Sequence, residues 1–157
     1  DGTIYDGMWQ NDLQEGTGKE IWPDGSIFEG YYSKGYKCGK GKFLGFNGSS
    51  YDGNYKDNKF NGTGIYIWPD KRQYIGNWKD NKMDGDGCFI WPDKRKYQGE
   101  FKDDKKHGYG IYEWSDGVIY RGFWKEGKQH GEGEILEKNE VNWKKGTWNE
   151  GKFKGWK

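Results

Sequence analysis

Aliphatic residues are scarce in this chain of 157 residues: 31% is hydrophobic by count, and aromatics alone supply 19%. That shortage excludes a two-layer core built on Leu, Ile and Val. Net charge is lacking too, with 26 basic against 25 acidic residues, so no global field draws the chain to nucleic acid or to an anionic membrane. There are only two cysteines, Cys38 and Cys88, at no metal-ligand spacing and too few for a disulfide framework. A reducing, intracellular and cytoplasmic address fits that usage. No apolar run is long enough to span a bilayer or to act as an export signal, so the sequons at Asn47 and Asn61 are read as coincidental. Helix periodicity is missing throughout. The chain opens at Asp1 and stops at Lys157 within a pattern, and is read as a piece of a longer protein or assembly.

Order must therefore come from what is abundant: 10 Trp, 12 Tyr, 8 Phe and 28 Gly. Disordered chains are poor in such rings. Tyr5, Phe28, Tyr51, Tyr74, Tyr97 and Tyr120 stand 23 residues apart without exception. A glycine follows each after two residues (Gly7, Gly30, Gly53, Gly76, Gly99, Gly122), and a second ring two after that (Trp9, Tyr32, Tyr55, Trp78, Phe101, Trp124). A Gly-x-Gly pair begins at Gly16, Gly39, Gly62, Gly85, Gly108 and Gly131, usually followed by further rings such as Tyr66 and Trp68. Within each stretch the spacing is two, so each reads as a β-strand with rings and glycines on one face. Turn signals such as Pro23-Asp24-Gly25 and the polar "KDNKFN" and "KDNKMD" segments separate the strands.

Each unit is then one hairpin, and successive hairpins pair into an all-β, single-layer antiparallel meander, a ribbon on the order of 65 Å long at about 4.8 Å per strand. The repeats run over residues 1–22, 23–45, 46–68, 69–91, 92–114 and 115–137, with a partial one over 138–157, all in a single domain. Glycine across from a ring leaves room for it, so the ring face packs against backbone within one layer. The opposite face is polar and mostly wet, with a sparse column of Ile21, Leu44, Ile67 and Ile90.

The pattern aromatic-x-Gly-x-aromatic, then Gly-Lys-x-His-Gly-x-Gly, resembles the MORN repeat (membrane occupation and recognition nexus); its best copy runs from Tyr120 to Gly133. The resemblance covers essentially the whole chain. A seventh copy, from Lys144 to Trp148 onward, lacks the leading ring and is displaced by one residue. The resemblance implies a curved, twisted single-layer antiparallel sheet. Members of that family serve as scaffolds of cilia and the cytoskeleton, as membrane-junction proteins, and as arms attached to lipid kinases or a lysine methyltransferase. A ciliary or cytoskeletal address follows from resemblance alone, and fold by itself does not settle function.

Chemistry is sparse. His107 and His130 share a column with Glu15, Cys38, Asn61 and Asp84, a polar hairpin position with no third ligand, so neither metal nor cofactor is expected. Gly39-Lys40-Gly41-Lys42 lacks the helix and spacing of a phosphate loop. Asp57, Asp80 and Asp103 sit beside Lys56, Lys79 and Lys102 as solvated pairs, and no nucleophile constellation appears. This segment is not expected to be an enzyme.

The leading expectation is a protein-interaction scaffold whose ring-and-glycine groove, lined by Tyr51, Tyr55, Tyr74, Trp78, Tyr97, Phe101, Tyr120 and Trp124, holds a helix or extended segment of a protein partner. The alternative uses Lys71, Arg72, Lys94, Arg95 and Lys96 to meet anionic phospholipid, each cation contributing roughly 1 kcal/mol near such a surface. That would make the chain a phosphoinositide-targeting module or an accessory arm of a phosphatidylinositol phosphate kinase. Asp70 and Asp93 beside these cations, and the common use of charge to protect sheet edges, favour a solvated edge instead. Unpaired terminal strands suggest self-association. Nucleic acid is not expected as a partner, because a single-strand platform needs exposed rings and a basic footprint.

Overall fold

The computed structural model describes residues 1–157, and it contains strands and no helix. Two compact units divide the chain at Lys82 and Met83. The first holds β1 (Ile4–Gln10), β2 (Leu13–Ile21), β3 (Ile27–Ser33), β4 (Tyr36–Leu44), β5 (Ser50–Lys56), β6 (Lys59–Ile67) and β7 (Gln73–Lys79). The second holds β8 (Lys82–Ile90), β9 (Lys96–Lys102), β10 (Lys105–Glu113), β11 (Ile119–Lys125), β12 (Lys128–Leu136), β13 (Lys144–Asn149) and β14 (Lys152–Trp156). Within each unit the strands pair in chain order, every pair antiparallel, as a meander of hairpins. No helix is long and apolar enough to cross a membrane.

Odd strands have seven residues and even strands nine until the last hairpin, and the register shows why. Gly53 lies opposite Gly64 while Tyr55 lies opposite Phe60, so two steps along β5 face four along β6. The surplus forms a bulge, and Gly62 supplies its left-handed residue at φ +81°. The same step recurs between β1 and β2 and between β11 and β12.

The core is a single layer of rings lying on glycine backbone. Phe28, Tyr51, Tyr74, Tyr97 and Tyr120 are fully buried. A Cβ at Gly64 would stand 2.3 Å from the Tyr51 hydroxyl oxygen, and one at Gly110 would stand 2.2 Å from that of Tyr97. Only glycine permits so close an approach. Phe28, Tyr51, Tyr97 and Tyr120 each meet two rings in second-column places edge to face: Tyr51 meets Tyr55 at 5.2 Å and Trp78 at 5.7 Å, and Tyr120 meets Trp124 at 5.3 Å and Trp148 at 5.1 Å. Such contacts add about 0.5–1.5 kcal/mol each beyond area burial, which is how a chain poor in aliphatics folds.

The polar turns are also structural. Asn58 at the β5–β6 turn donates its backbone N–H to the carbonyl of Lys37 at 3.1 Å and accepts the Lys37 N–H on Oδ1 at 2.8 Å. Asn81 holds Phe60 in the same way, and Asp104 holds Met83. Each clasp ties one repeat to the repeat before it.

The seventh repeat departs as its displaced sequence requires. Trp148 takes the second-column place against Tyr120, and Phe153 lies against Gly146 where a first-column ring would be. Trp143, although 23 residues beyond Tyr120, stacks on the Arg121 guanidinium at 3.8 Å. A one-residue slip in a period of two exchanges the faces of the sheet.

Candidate binding surface

The bulge explains why the first column prefers tyrosine to phenylalanine. Where the ladder is interrupted, the hydroxyl of Tyr51 donates to the carbonyl of Asn54 at 2.8 Å, and Tyr5, Tyr74, Tyr97 and Tyr120 make the equivalent bond to the residue three ahead. Phe28 has no hydroxyl, and there Tyr31 pairs directly with Cys38. Burial raises the hydroxyl pKa of Tyr51, and it pushes that of Tyr120 up to about 12. These rings stay neutral and donate at all ordinary pH values.

Two lysines enter the ring layer. Lys37 Nζ stands 5.1 Å from the Phe28 ring centre and 5.4 Å from that of Trp22, and 3.3 Å from a Glu20 carboxylate oxygen. Lys106 Nζ lies 5.3 to 5.8 Å from the rings of Trp124, Tyr112, Trp91 and Tyr97. Burial, with the nearby Arg95 charge as a smaller cause, lowers its pKa. Cation–π attraction partly offsets the desolvation of each ammonium.

The eight rings expected to line a groove are instead this core. Tyr51, Tyr74, Tyr97 and Tyr120 are 0% exposed, and Tyr55, Trp78, Phe101 and Trp124 are 5 to 7% exposed. Tyr51, Tyr97 and Tyr120 lie on the glycine pairs and the second-column rings pack edge-on against the first column, so almost no ring surface of these eight is left open. The opposite face is the open one. In the first unit a trough of about 580 Å³ crosses β1 to β5 over the backbone of Gly7, Gly18, Gly30 and Gly41. One wall is a row of alternating charge, in which Asp6 faces Lys19, Lys19 faces Glu29, Glu29 faces Lys42 and Lys42 faces Asp52. Met8, Thr17, Tyr31 and Lys40 form the other, with Tyr31 51% exposed.

The second unit carries a corresponding trough of about 200 Å³ over Gly122, Gly133 and Gly146. Tyr109 and Phe123 stand on its wall, 45% and 51% exposed, as an edge-to-face pair 5.7 Å apart. Arg121 and Glu134 pair across it at 2.5 Å, and Lys157 pairs with Glu132. No group of three or more His, Cys, Asp or Glu side chains could hold a metal ion. His107 is half-buried, and His130 Nδ1 accepts the Glu150 N–H at 3.3 Å.

The family model for the MORN repeat matches residues 5–27, 28–50, 51–71, 74–94, 97–119 and 120–135. The chain belongs to the MORN repeat family. Each matched MORN unit begins on a first-column ring, the residue that lies on the glycine pair. Among curated proteins no sequence matches the chain significantly. Among solved structures, the TCP domain of SAS-4 (dCPAP) of Drosophila melanogaster, in complex with a proline-rich motif of Ana2 (dSTIL), is similar with a TM-score of 0.50 at 12% identity, over 91% of this chain and 83% of that chain. The TCP10c domain of Drosophila melanogaster Sas-4 gives a TM-score of 0.41 at 13% identity, over 90% of this chain and 98% of that one. At such identities the likeness to the SAS-4 TCP domain concerns the fold alone.

The cations considered for lipid lie at the turns of these MORN repeats. Arg72 is held by Asp70 at 2.7 Å with its guanidinium over Trp68, and Arg95 by Asp93 at 2.8 Å over Trp91. Lys71 and Lys94 occupy left-handed positions at φ 76°, and Lys96 pairs across the sheet with Glu113. The residues that sequence reasoning missed, Tyr31, Tyr109 and Phe123, occupy the "x" places of the MORN pattern. Their signal was a ring in the phase opposite to the columns.

Proposed function

We propose that this MORN chain is a non-catalytic interaction module that holds an extended segment of a protein partner against the face opposite its ring core. The observation that carries this reading is the glycine-floored trough in each unit, flanked by exposed Tyr31 in one and by the Tyr109–Phe123 pair in the other. Aromatic side chains anchor interfaces at little entropic cost because they have few rotatable bonds, and here they stand on a sheet that is already ordered. The SAS-4 TCP domain, which shares this fold, holds a segment of another protein, and membership of the MORN family supports the same kind of work. A ciliary or cytoskeletal assembly is the proposed setting. Self-association through β1 and β14 is a separate, weaker reading supported by their exposed Trp9 and Trp156. The phosphoinositide reading has less support, since Arg72 and Arg95 are each engaged by a carboxylate.

Panning a displayed library of random 16-residue peptides against the full chain tests the proposal. The expected result is enrichment of a peptide family that is lost on a Tyr31→Ser/Phe123→Ser variant whose circular dichroism is unchanged. Enrichment that survives in that variant, or no enrichment at all, would overturn it.

A further inference from the structure

We infer that the trough takes a segment in the polyproline II conformation, laid across the strands with one turn of ligand per MORN repeat. The inference rests on the interaction reading and names the ligand of that same face. Neighbouring strands lie about 4.8 Å apart, so a pattern that recurs every second strand has a period of about 9.6 Å. A polyproline II helix has three residues per turn and about 3.1 Å per residue, a pitch of about 9.3 Å. The two periods nearly coincide. An α-helix repeats about every 5.4 Å and an extended strand about every 6.7 Å, and neither returns the same side chain to successive repeats.

The chemistry of the trough agrees with the spacing. Its floor has no free ladder to extend, since Gly18 is paired with Gly7 on one side and with Gly30 on the other, and Gly30 with Gly41. A partner adding itself as a strand finds nothing there to pair with, whereas a polyproline II segment has no backbone hydrogen bonds to place and proline has no N–H to satisfy. The charged wall alternates Asp6, Lys19, Glu29, Lys42 and Asp52 in register, which selects neither an acidic nor a basic peptide and suits a neutral one. Exposed rings on the wall, Tyr31 in one unit and Tyr109 with Phe123 in the other, are the surfaces on which proline rings dock. Across β1 to β5 the trough spans four strand intervals, about 19 Å, enough for roughly six residues.

The test is fluorescence anisotropy on the full chain with end-blocked, fluorescein-labelled oligoprolines of three, six, nine and twelve residues and a nine-residue Gly-Ser control. Affinity is expected to rise about tenfold from three residues to six and then to change less than about threefold, with the Gly-Ser peptide at least tenfold weaker than nine prolines. The Tyr31→Ser/Phe123→Ser variant, with its circular dichroism unchanged, is expected to lose at least about fivefold on six prolines. No oligoproline binding up to millimolar concentration, equal binding of the Gly-Ser peptide, or binding indifferent to the two rings would overturn the inference. Should library panning enrich peptides on this face while oligoprolines fail, only the polyproline assignment falls; should both fail, the interaction reading falls with it.

Discussion

The hydroxyl of Tyr51 lies over Gly64 and donates to the carbonyl of Asn54 at 2.8 Å, so one ring both fills the space left by a glycine and caps a carbonyl at the bulge. Removing the hydroxyl separates the two roles. Tyr51→Phe is expected to destabilise the chain by about 1 kcal/mol in a chemical denaturation curve, the cost of losing the hydrogen bond to a part-buried carbonyl. Phe28→Tyr is expected to gain nothing comparable, because Tyr31 there already pairs with Cys38.

Glycines of two kinds should respond differently to a methyl group. Gly64→Ala places a Cβ against the Tyr51 ring and is expected to cost roughly 3 kcal/mol, the upper range for overpacking. Gly48 has open space around its Cβ position and only a left-handed backbone at φ +88°, so Gly48→Ala should cost about 1 kcal/mol. Equal losses in melting experiments would contradict the ring-on-glycine account.

The inter-repeat clasp at Asn58 is testable in the same manner. Asn58→Gly keeps the left-handed φ of 68° and removes the side-chain bond to Lys37, for an expected loss of about 1 kcal/mol. Asn58→Ala adds backbone strain of about 1 kcal/mol to that. Amide hydrogen exchange at Lys37 should accelerate in both variants.

Lys106 is expected to be a net burden at neutral pH. Its pKa is lowered by burial, so the folded state gives up this proton before the unfolded state does. Below the folded pKa both states carry the charge and the penalty is complete; as pH rises toward the unfolded value the folded state binds fewer protons and stability recovers. Lys106→Met, which copies Met83 one repeat earlier, is expected to stabilise by roughly 0.5–2 kcal/mol at pH 7 and by less above the folded pKa. A pH-independent gain would show that the charge is not what the cage opposes.

The repeat, its strands and the pairing of rings with glycines were legible because a period of 23 overlaid on a period of 2 leaves one solution for register. Which face lay open was not. Period two places Tyr51, Gly53 and Tyr55 together, but it does not say whether a ring stands up from the sheet or lies down on the glycine beside it. Here the first-column rings lie down on the glycines, so the expected groove is the core, and Tyr31, Tyr109 and Phe123, in the opposite phase, are among the accessible rings. The caged Lys106 was illegible for a different reason: a lysine next to a polar turn reads as solvated, and only the rings of Trp91, Tyr97, Tyr112 and Trp124 around it show otherwise. Likewise Asn58 and Asn81 read as turn formers, while their second role needs the preceding repeat in place.

Trp143 shows how such a chain changes its surface without changing its composition. At the spacing that makes Phe28, Tyr51, Tyr74, Tyr97 and Tyr120 core residues, it lies on Arg121 instead, because the seventh repeat is set back by one position. With one residue more than the 23-residue period, the half-buried Trp143 indole covers Arg121, while Trp148 and Phe153 pack with Tyr120 and Gly146 on the ring face. One extra residue between repeats is thus enough to choose which face of the sheet an aromatic covers, while the pairing of ring with glycine resumes one strand later.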